Sequence, residues 1–381
     1  MTRKPLSALA AIVALAVAGL IGWRVLGPAE VIKPATEPYP AAAVRPAGIL
    51  GKLTMAPLIV DDRIRVYAGT RLVKADGPVD ADMMTTPRWS YRRWPARVSG
   101  LVAVGTTVVS RWTDGALVAL DARTGKVAWR ADGPDGPAFA GRTGADAVWA
   151  PPGLFTAGTS VLVAAGRKVE ARSSQDGSVR WTAALPLGCA AESFVTAGGR
   201  FVCGEGAWDV ISGAPVLGWP VGPSAPLGCD VARSRCGGLR DASGHGWLVH
   251  ARRPERAPAL DASSATAVDG LILAAEGGAV TASGAATWRW AGDAQVLGVR
   301  AGKVVLLTAA YEVVTLDARN GTPLARFPAY AKKERVEPWK PDLWQVTDTV
   351  VTVERLFPGA GTDPGEPHHY YTIDPAIIAA I

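Results

Sequence analysis

One short phrase recurs along this chain: an aspartate or serine in a turn, a glycine four residues on, and a tryptophan four residues after that. It is clearest over Leu117–Trp129, with Asp121, Gly125 and Trp129 in those places. Decayed copies run over Val169–Trp181, Trp208–Trp219, Val280–Trp288 and Val313–Phe327. Repetition of one supersecondary unit at intervals of tens of residues implies an array of like units that bury their faces on one another. Such a repeat dictates how a scaffold closes and leaves its ligand unspecified.

The first unit reads as four short strands, Ala56–Val60, Ile64–Ala68, Leu72–Ala75 and Trp89–Trp94. They are rich in Val, Ile, Leu and Trp and are separated by Gly and Asp turns, which are the signals of an antiparallel meander. Marker glycines fall at Gly77, Gly125, Gly177, Gly213, Gly284 and Gly321. The double gap between Gly213 and Gly284 implies a degenerate unit there, containing Gly246–His250. A last unit runs from Trp344 through Thr349–Val353 to Tyr370–Asp374. The count is eight, or seven. Four-stranded sheets repeated radially close into a β-propeller, which protects their edges. The expectation is an all-β propeller over residues 49–381.

Each repeated residue then has a packing role. The turn Asp or Ser accepts backbone N–H groups, and glycine supplies a positive φ. The indole docks between blades, where burial is worth about 3 kcal/mol. The blade-docking set is Asp121, Gly125, Trp129, Gly177, Trp181, Gly284, Trp288, Asp317 and Gly321. It also explains why Trp (14) outnumbers Tyr (7) and Phe (6) together.

At the amino terminus Arg3 and Lys4 precede an uncharged run, Pro5–Trp23, closed by Arg24. About 18 apolar residues suffice to span a bilayer as a helix. Positive charge ahead of the run keeps the terminus cytoplasmic and sends the remainder outward. Residues 1–26 therefore read as a transmembrane signal-anchor. Ala16-Val17-Ala18 also satisfies the small-residue rule for signal peptidase, but the apolar residues after it favour an uncleaved anchor. Residues 27–48, with prolines at 28, 34, 38, 40 and 46, read as an extended stalk. The net charge of +6 is scattered, with only pairs at Arg92–Arg93, Arg252–Arg253 and Lys332–Lys333. Nucleic-acid binding needs a concentrated basic face and is not expected.

Leu117–Trp129, with Val169–Trp181 and Val313–Leu324 as weaker copies, resembles the tryptophan-docking repeat of the PQQ-like β-propellers. That superfamily includes quinoprotein dehydrogenases and outer-membrane assembly lipoproteins of the BamB type. The resemblance implies the fold over residues 50–381 and stands closer to the non-catalytic BamB-like members. The dehydrogenases carry adjacent cysteines over the quinone and acidic and amide ligands for calcium. Here no two cysteines adjoin, and the single asparagine, Asn320, sits in a turn. No first cysteine for lipid attachment precedes the propeller either, unlike the BamB lipoproteins.

Cys189, Cys203, Cys229 and Cys236 are even in number and lie in an exported body, which suggests disulfides. Hairpin geometry selects Cys189 with Cys203 and Cys229 with Cys236; four buried thiols are the competing reading. No serine-hydrolase elbow, zinc-protease motif or phosphate loop is present. His368 and His369 are neighbours that a strand would point to opposite faces, so no metal site is assigned.

The sequence thus points to a single-pass membrane protein of the cell envelope. Its extracytoplasmic propeller would bind another envelope or membrane protein, or a small ligand, without catalysis, cofactor or metal. Candidate binding loops are Asp132–Arg142 and Pro358–His369, the latter bearing Asp363, Glu366, His368 and His369. A PQQ-dependent dehydrogenase and a purely structural spacer are the alternatives.

Overall fold

The computed structural model describes residues 12–17, 29–42, 44–80, 86–138, 141–204, 206–220, 222–361, 363–366 and 368–381. The anchor expected over 1–26 lies outside the described residues, apart from helical 12–17. Among the described residues no helix is long and apolar enough to cross a membrane.

The body is an eight-bladed propeller of antiparallel sheets. Blade 1 comprises Leu58–Val60, Ile64–Gly69, Leu72–Asp76 and Trp89–Arg93; blade 2 runs from Val98–Val104 to Val127–Asp132, and blade 3 from Leu154–Ala157 to Val179–Ala184. Blade 4 has three strands, Phe194–Val195, Arg200–Cys203 and Gly206–Asp209, with a single Trp208–Pro215 bridge in place of a fourth. Blade 5 is the degenerate unit, with short strands from Ala225–Leu227 to Glu255–Arg256. Blade 6 runs from Ala265–Val268 to Trp288–Ala291, and blade 7 from Ala294–Arg300 to Pro323–Pro328.

Blade 8 closes the ring, and it differs from the sequence reading. Lys340–Val346 and Val350–Leu356 lie where expected, but the third strand is Ala376–Ala380, not Tyr370–Asp374. Its outermost strand is Gly48–Leu53, with Leu53 opposite Ala376. Segments from opposite ends of the ring thus share one sheet, with Gly48–Leu53 supplying its fourth strand. Gln345 seals it to blade 1, its side chain accepting from the Ile59 N–H (2.8 Å) and donating to the Ile59 carbonyl (3.2 Å).

The expected stalk is also different. Within 27–48, Glu30–Lys33 pairs with Trp89–Arg93 as a fifth, outermost strand of blade 1. Its register puts Val31 opposite Arg92 and Ile32 opposite Tyr91, so four residues of unremarkable sequence gain a ladder only because blade 1 offers an open edge.

Burial follows position in the ring. Middle strands are buried on both faces because each sheet is sandwiched between two others: Val350–Leu356 is buried throughout. Outer strands alternate, as in Val127–Asp132, where Trp129 alone is buried. One helix, Ala145–Trp149, interrupts the all-β pattern between blades 2 and 3. Its Trp149 is buried, and the indole N–H donates to the Pro57 carbonyl at 2.9 Å.

Candidate functional site

The repeat builds the walls of the ring. Trp129 Nε1 donates to the Ser174 carbonyl of the next blade at 2.9 Å, and its ring lies on Gly177, where a Cβ would stand 2.6 Å from Cε3. Trp181 does the same on Val210 and Gly213, and Trp288 on Ala318 and Gly321, each at 2.9 Å. A fourth indole, which the spacing did not reveal, is Trp89, which donates to Ala122 at 2.8 Å and covers Gly125. Glycine is required twice over at these turns: φ is +70° to +74°, and the indole leaves no room for a side chain. Asp121 Oδ1 accepts the Arg123 N–H (2.9 Å) and Asp317 Oδ1 the Arg319 N–H (2.8 Å). Hydrogen bonds from the Arg319 side chain and backbone bring the Asp317 pKa down to about 2. Gly284 stands apart from its group. No indole covers it, and a Cβ there would meet the Gly270 carbonyl at 2.5 Å, because blade 5 has no outer-strand tryptophan to send.

Both disulfides form as hairpin geometry predicts, Cys189–Cys203 and Cys229–Cys236. The second closes a loop that turns into the central channel. Ala232, Arg233 and Arg235 there all have positive φ, a conformation the cross-link and packing impose on residues that disfavour it. Ser234, buried in the loop, accepts the Thr156 N–H of blade 3 at 3.0 Å. Asp230 pairs with Arg300 of blade 7, and Arg235 reaches Asp269 of blade 6. Burial outweighs these charges and raises the Asp230 pKa. The loop thereby borders a cavity of about 640 Å³, bounded by Trp149 and by the inner strands of blades 6, 7 and 8.

The two loops singled out from the sequence come together, although they stand more than two hundred residues apart. Arg142 is the clasp: its guanidinium donates to the carbonyls of Ile373 (2.7 Å) and Thr372 (3.0 Å) and lies over the Tyr370 ring. Its backbone N–H donates to the Tyr370 hydroxyl at 3.1 Å. Between the loops is an open cleft of about 600 Å³, lined by Gly141, Arg142, Pro364, Gly365, Glu366, Tyr370, Thr372 and Ile373. The four candidate residues divide. Asp363 serves the turn, accepting the Gly365 N–H at 2.8 Å, while Glu366 is exposed along the cleft. His368 is exposed, whereas His369 is buried edge-on against Tyr370, its Nδ1 without a partner among the described residues. Among the described residues no group of three or more His, Cys, Asp or Glu is placed to hold a metal ion.

Beneath the loops is a support that sequence reasoning missed. Arg355, fully buried, pairs with Glu334 at 3.0 Å and donates to the carbonyls of Pro375 and Asp374, tying the 331–339 and 370–375 segments to blade 8. Burial alone would raise the Glu334 pKa, but the Arg355 hydrogen bond holds it below the usual range. Nearby Glu354 is 3% exposed and accepts a hydrogen bond from Thr143. Its burial, with the charges of Asp342 and Asp146, pushes its pKa up to about 7.

Residues 60–211, blades 1 to 4, match the family model described as outer membrane protein assembly factor BamB. That match coincides with the region where indole docking is most regular. Over those residues the chain is similar to the PQQ-like β-propellers. A computationally designed protein, Ika8, aligns with 87% of this chain and 99% of its own at a TM-score of 0.50 and 12% identity, a likeness of fold alone. BamB from Moraxella catarrhalis aligns with 92% of this chain and 99% of its own at a TM-score of 0.46 and 15% identity. The C-terminal WD40 domain of Sif2 gives 93% and 99% at 0.46 and 12%. No curated protein matches the chain. The residues do not fit the quinone site of the PQQ-like enzymes: the cysteines pair across separations of 14 and 7, and Asn320 Oδ1 accepts the Thr322 N–H within its own turn.

Proposed function

We propose that the chain is a non-catalytic, protein-binding propeller of the cell envelope, anchored by its amino-terminal segment and exposed outside the cytoplasm. The carrying observation is the cleft between residues 141–142 and 364–373, assembled from the two longest departures from the repeat and clasped by Arg142. Its shape suits a polypeptide. It is open, and it offers an exposed carboxylate in Glu366 and an exposed apolar side chain in Ile373. Among the described residues the one cation lining it, Arg142, is engaged by backbone carbonyls and so serves to rigidify the rim. Binding residues on loops held by a rigid scaffold are the usual arrangement for recognition. The BamB-like match supports a protein-interaction role, and oxidised cysteines accord with an exported body.

The test is photo-crosslinking in intact cells from residues 366 and 368 of the full chain, with residue 319 of blade 7 as the reference. The expected outcome is one reproducible envelope or membrane protein captured from the cleft positions only. Identical products from residue 319, or none from the cleft, would overturn the reading.

A further inference from the structure

The point at which the amino-terminal segment joins the ring is fixed by hydrogen bonds. The Ala29 carbonyl accepts the Trp94 N–H at 2.8 Å, and Glu30–Lys33 then continues along blade 1. The Glu30 carboxylate binds Arg93 of blade 1 (3.2 Å) and Arg130 of blade 2 (2.7 Å), so the strand is pinned to both blades. Six residues, 24–29, separate the apolar run from Glu30. Fully extended, they reach about 20 Å. The headgroup layer itself takes up roughly 5–8 Å on each side of the hydrocarbon. The ring therefore cannot stand off by the length of a stalk, and its outer rim at blades 1 and 2 is the part held nearest the bilayer.

The chemistry of that corner matches a headgroup layer. Trp94 is 37% exposed, and the Arg71 guanidinium lies 3.8 Å over its ring. The Val98 N–H donates to the Thr70 carbonyl at 2.9 Å, which brings the exposed Arg97 beside Arg71. Arg92 and Lys33 are exposed on the two outermost strands. The neighbouring acids, Glu30 and Asp114, are occupied by Arg93 and Arg130. A tryptophan with an arginine beside it is the side-chain pairing favoured at membrane interfaces, and each basic residue near an anionic surface adds to the attraction.

We propose that this corner rests on the bilayer and binds anionic lipid headgroups, which sets the propeller edge-on to the membrane. The inference rests on the anchored reading above.

The full chain is reconstituted in vesicles of phosphatidylcholine with or without phosphatidylglycerol, bearing a trace of headgroup spin label. The native cysteines are paired, so a single thiol from Thr70→Cys, or from Ser243→Cys on blade 5 across the ring, takes a fluorophore selectively. Quenching at 70 should exceed that at 243 by at least about twofold, increase with phosphatidylglycerol, and drop in an Arg71→Gln/Arg97→Gln variant. Equal quenching at the two positions, or no response to phosphatidylglycerol, in protein that floats with the vesicles would overturn the corner while leaving the anchor. Protein that fails to float would overturn the anchored reading and this inference with it.

Discussion

Four junctions of the ring, between blades 1 and 2, 2 and 3, 3 and 4, and 6 and 7, are closed by an indole that lies on the next blade's glycine and donates to a carbonyl three residues before it. The junctions on either side of blade 5, and those flanking blade 8, use other means. Around blade 5 the Cys229–Cys236 cross-link and the Asp230–Arg300 pair hold a loop in the channel; at blade 8 a strand from the other end of the chain and the Gln345 side chain complete the seal. Where blade 4 should dock on blade 5, Trp219 is buried but its N–H has no partner among the described residues. The contrast teaches that the repeat stabilises the ring generically. Its loss at blades 5 and 8 is offset by specific covalent and polar contacts, and blade 8 also sends out one of the two long loops of the cleft.

The largest expected effect is at a docked junction. Trp89→Ala removes a fully buried ring and leaves the Ala122 carbonyl without its donor, costing about 3–5 kcal/mol in urea denaturation. A cost under about 1 kcal/mol would show that indole docking does not hold the ring. Next are the cross-links: replacing Cys189 and Cys203 by serine should cost about 3 kcal/mol, and replacing Cys229 and Cys236 slightly less in chain entropy because its loop is shorter. If the second pair proves the costlier, the channel loop contributes more than loop closure.

The seam at blade 8 should also respond to pH, toward neutrality rather than in the acid range of Asp317 at a docked turn. Glu354 has a raised folded pKa of about 7, so its favourable contribution is fully present below its unfolded value of 4.5 and is lost as pH rises through about 7. Glu354→Gln should flatten the denaturation midpoint between those values and leave the variant more stable than the parent above pH 7. An unchanged pH profile would remove Glu354 as its source. The smallest effect separates two buried indoles. Trp181→Phe forfeits a hydrogen bond and should cost about 1 kcal/mol more than Trp219→Phe, which forfeits none. Equal costs would mean that packing alone explains both.

The docking glycines and most of the indoles were legible because turn, glycine and tryptophan lie within nine residues of one another. Trp89 escaped that reading for a physical reason: the excursion after Asp76 separates it from its own blade's turn. Both candidate loops were visible as departures from the repeat. Their meeting was not, since Arg142 and Tyr370 converge only when the ring places blade 8 near the connection between blades 2 and 3.

Local sequence determined the unit: strands of alternating and fully apolar residues, turns that need a positive φ, and indoles that must be buried somewhere. Those choices depend on interactions within about a dozen residues, so they are written in the chain itself. Tertiary structure alone decided the seal of Gly48–Leu53 on Ala376–Ala380, the use of Glu30–Lys33 as a fifth strand and the clasp of Arg142 on the 370–373 segment. Each depends on which edges and carbonyls remain open once the ring has closed, and no run of neighbouring residues encodes that.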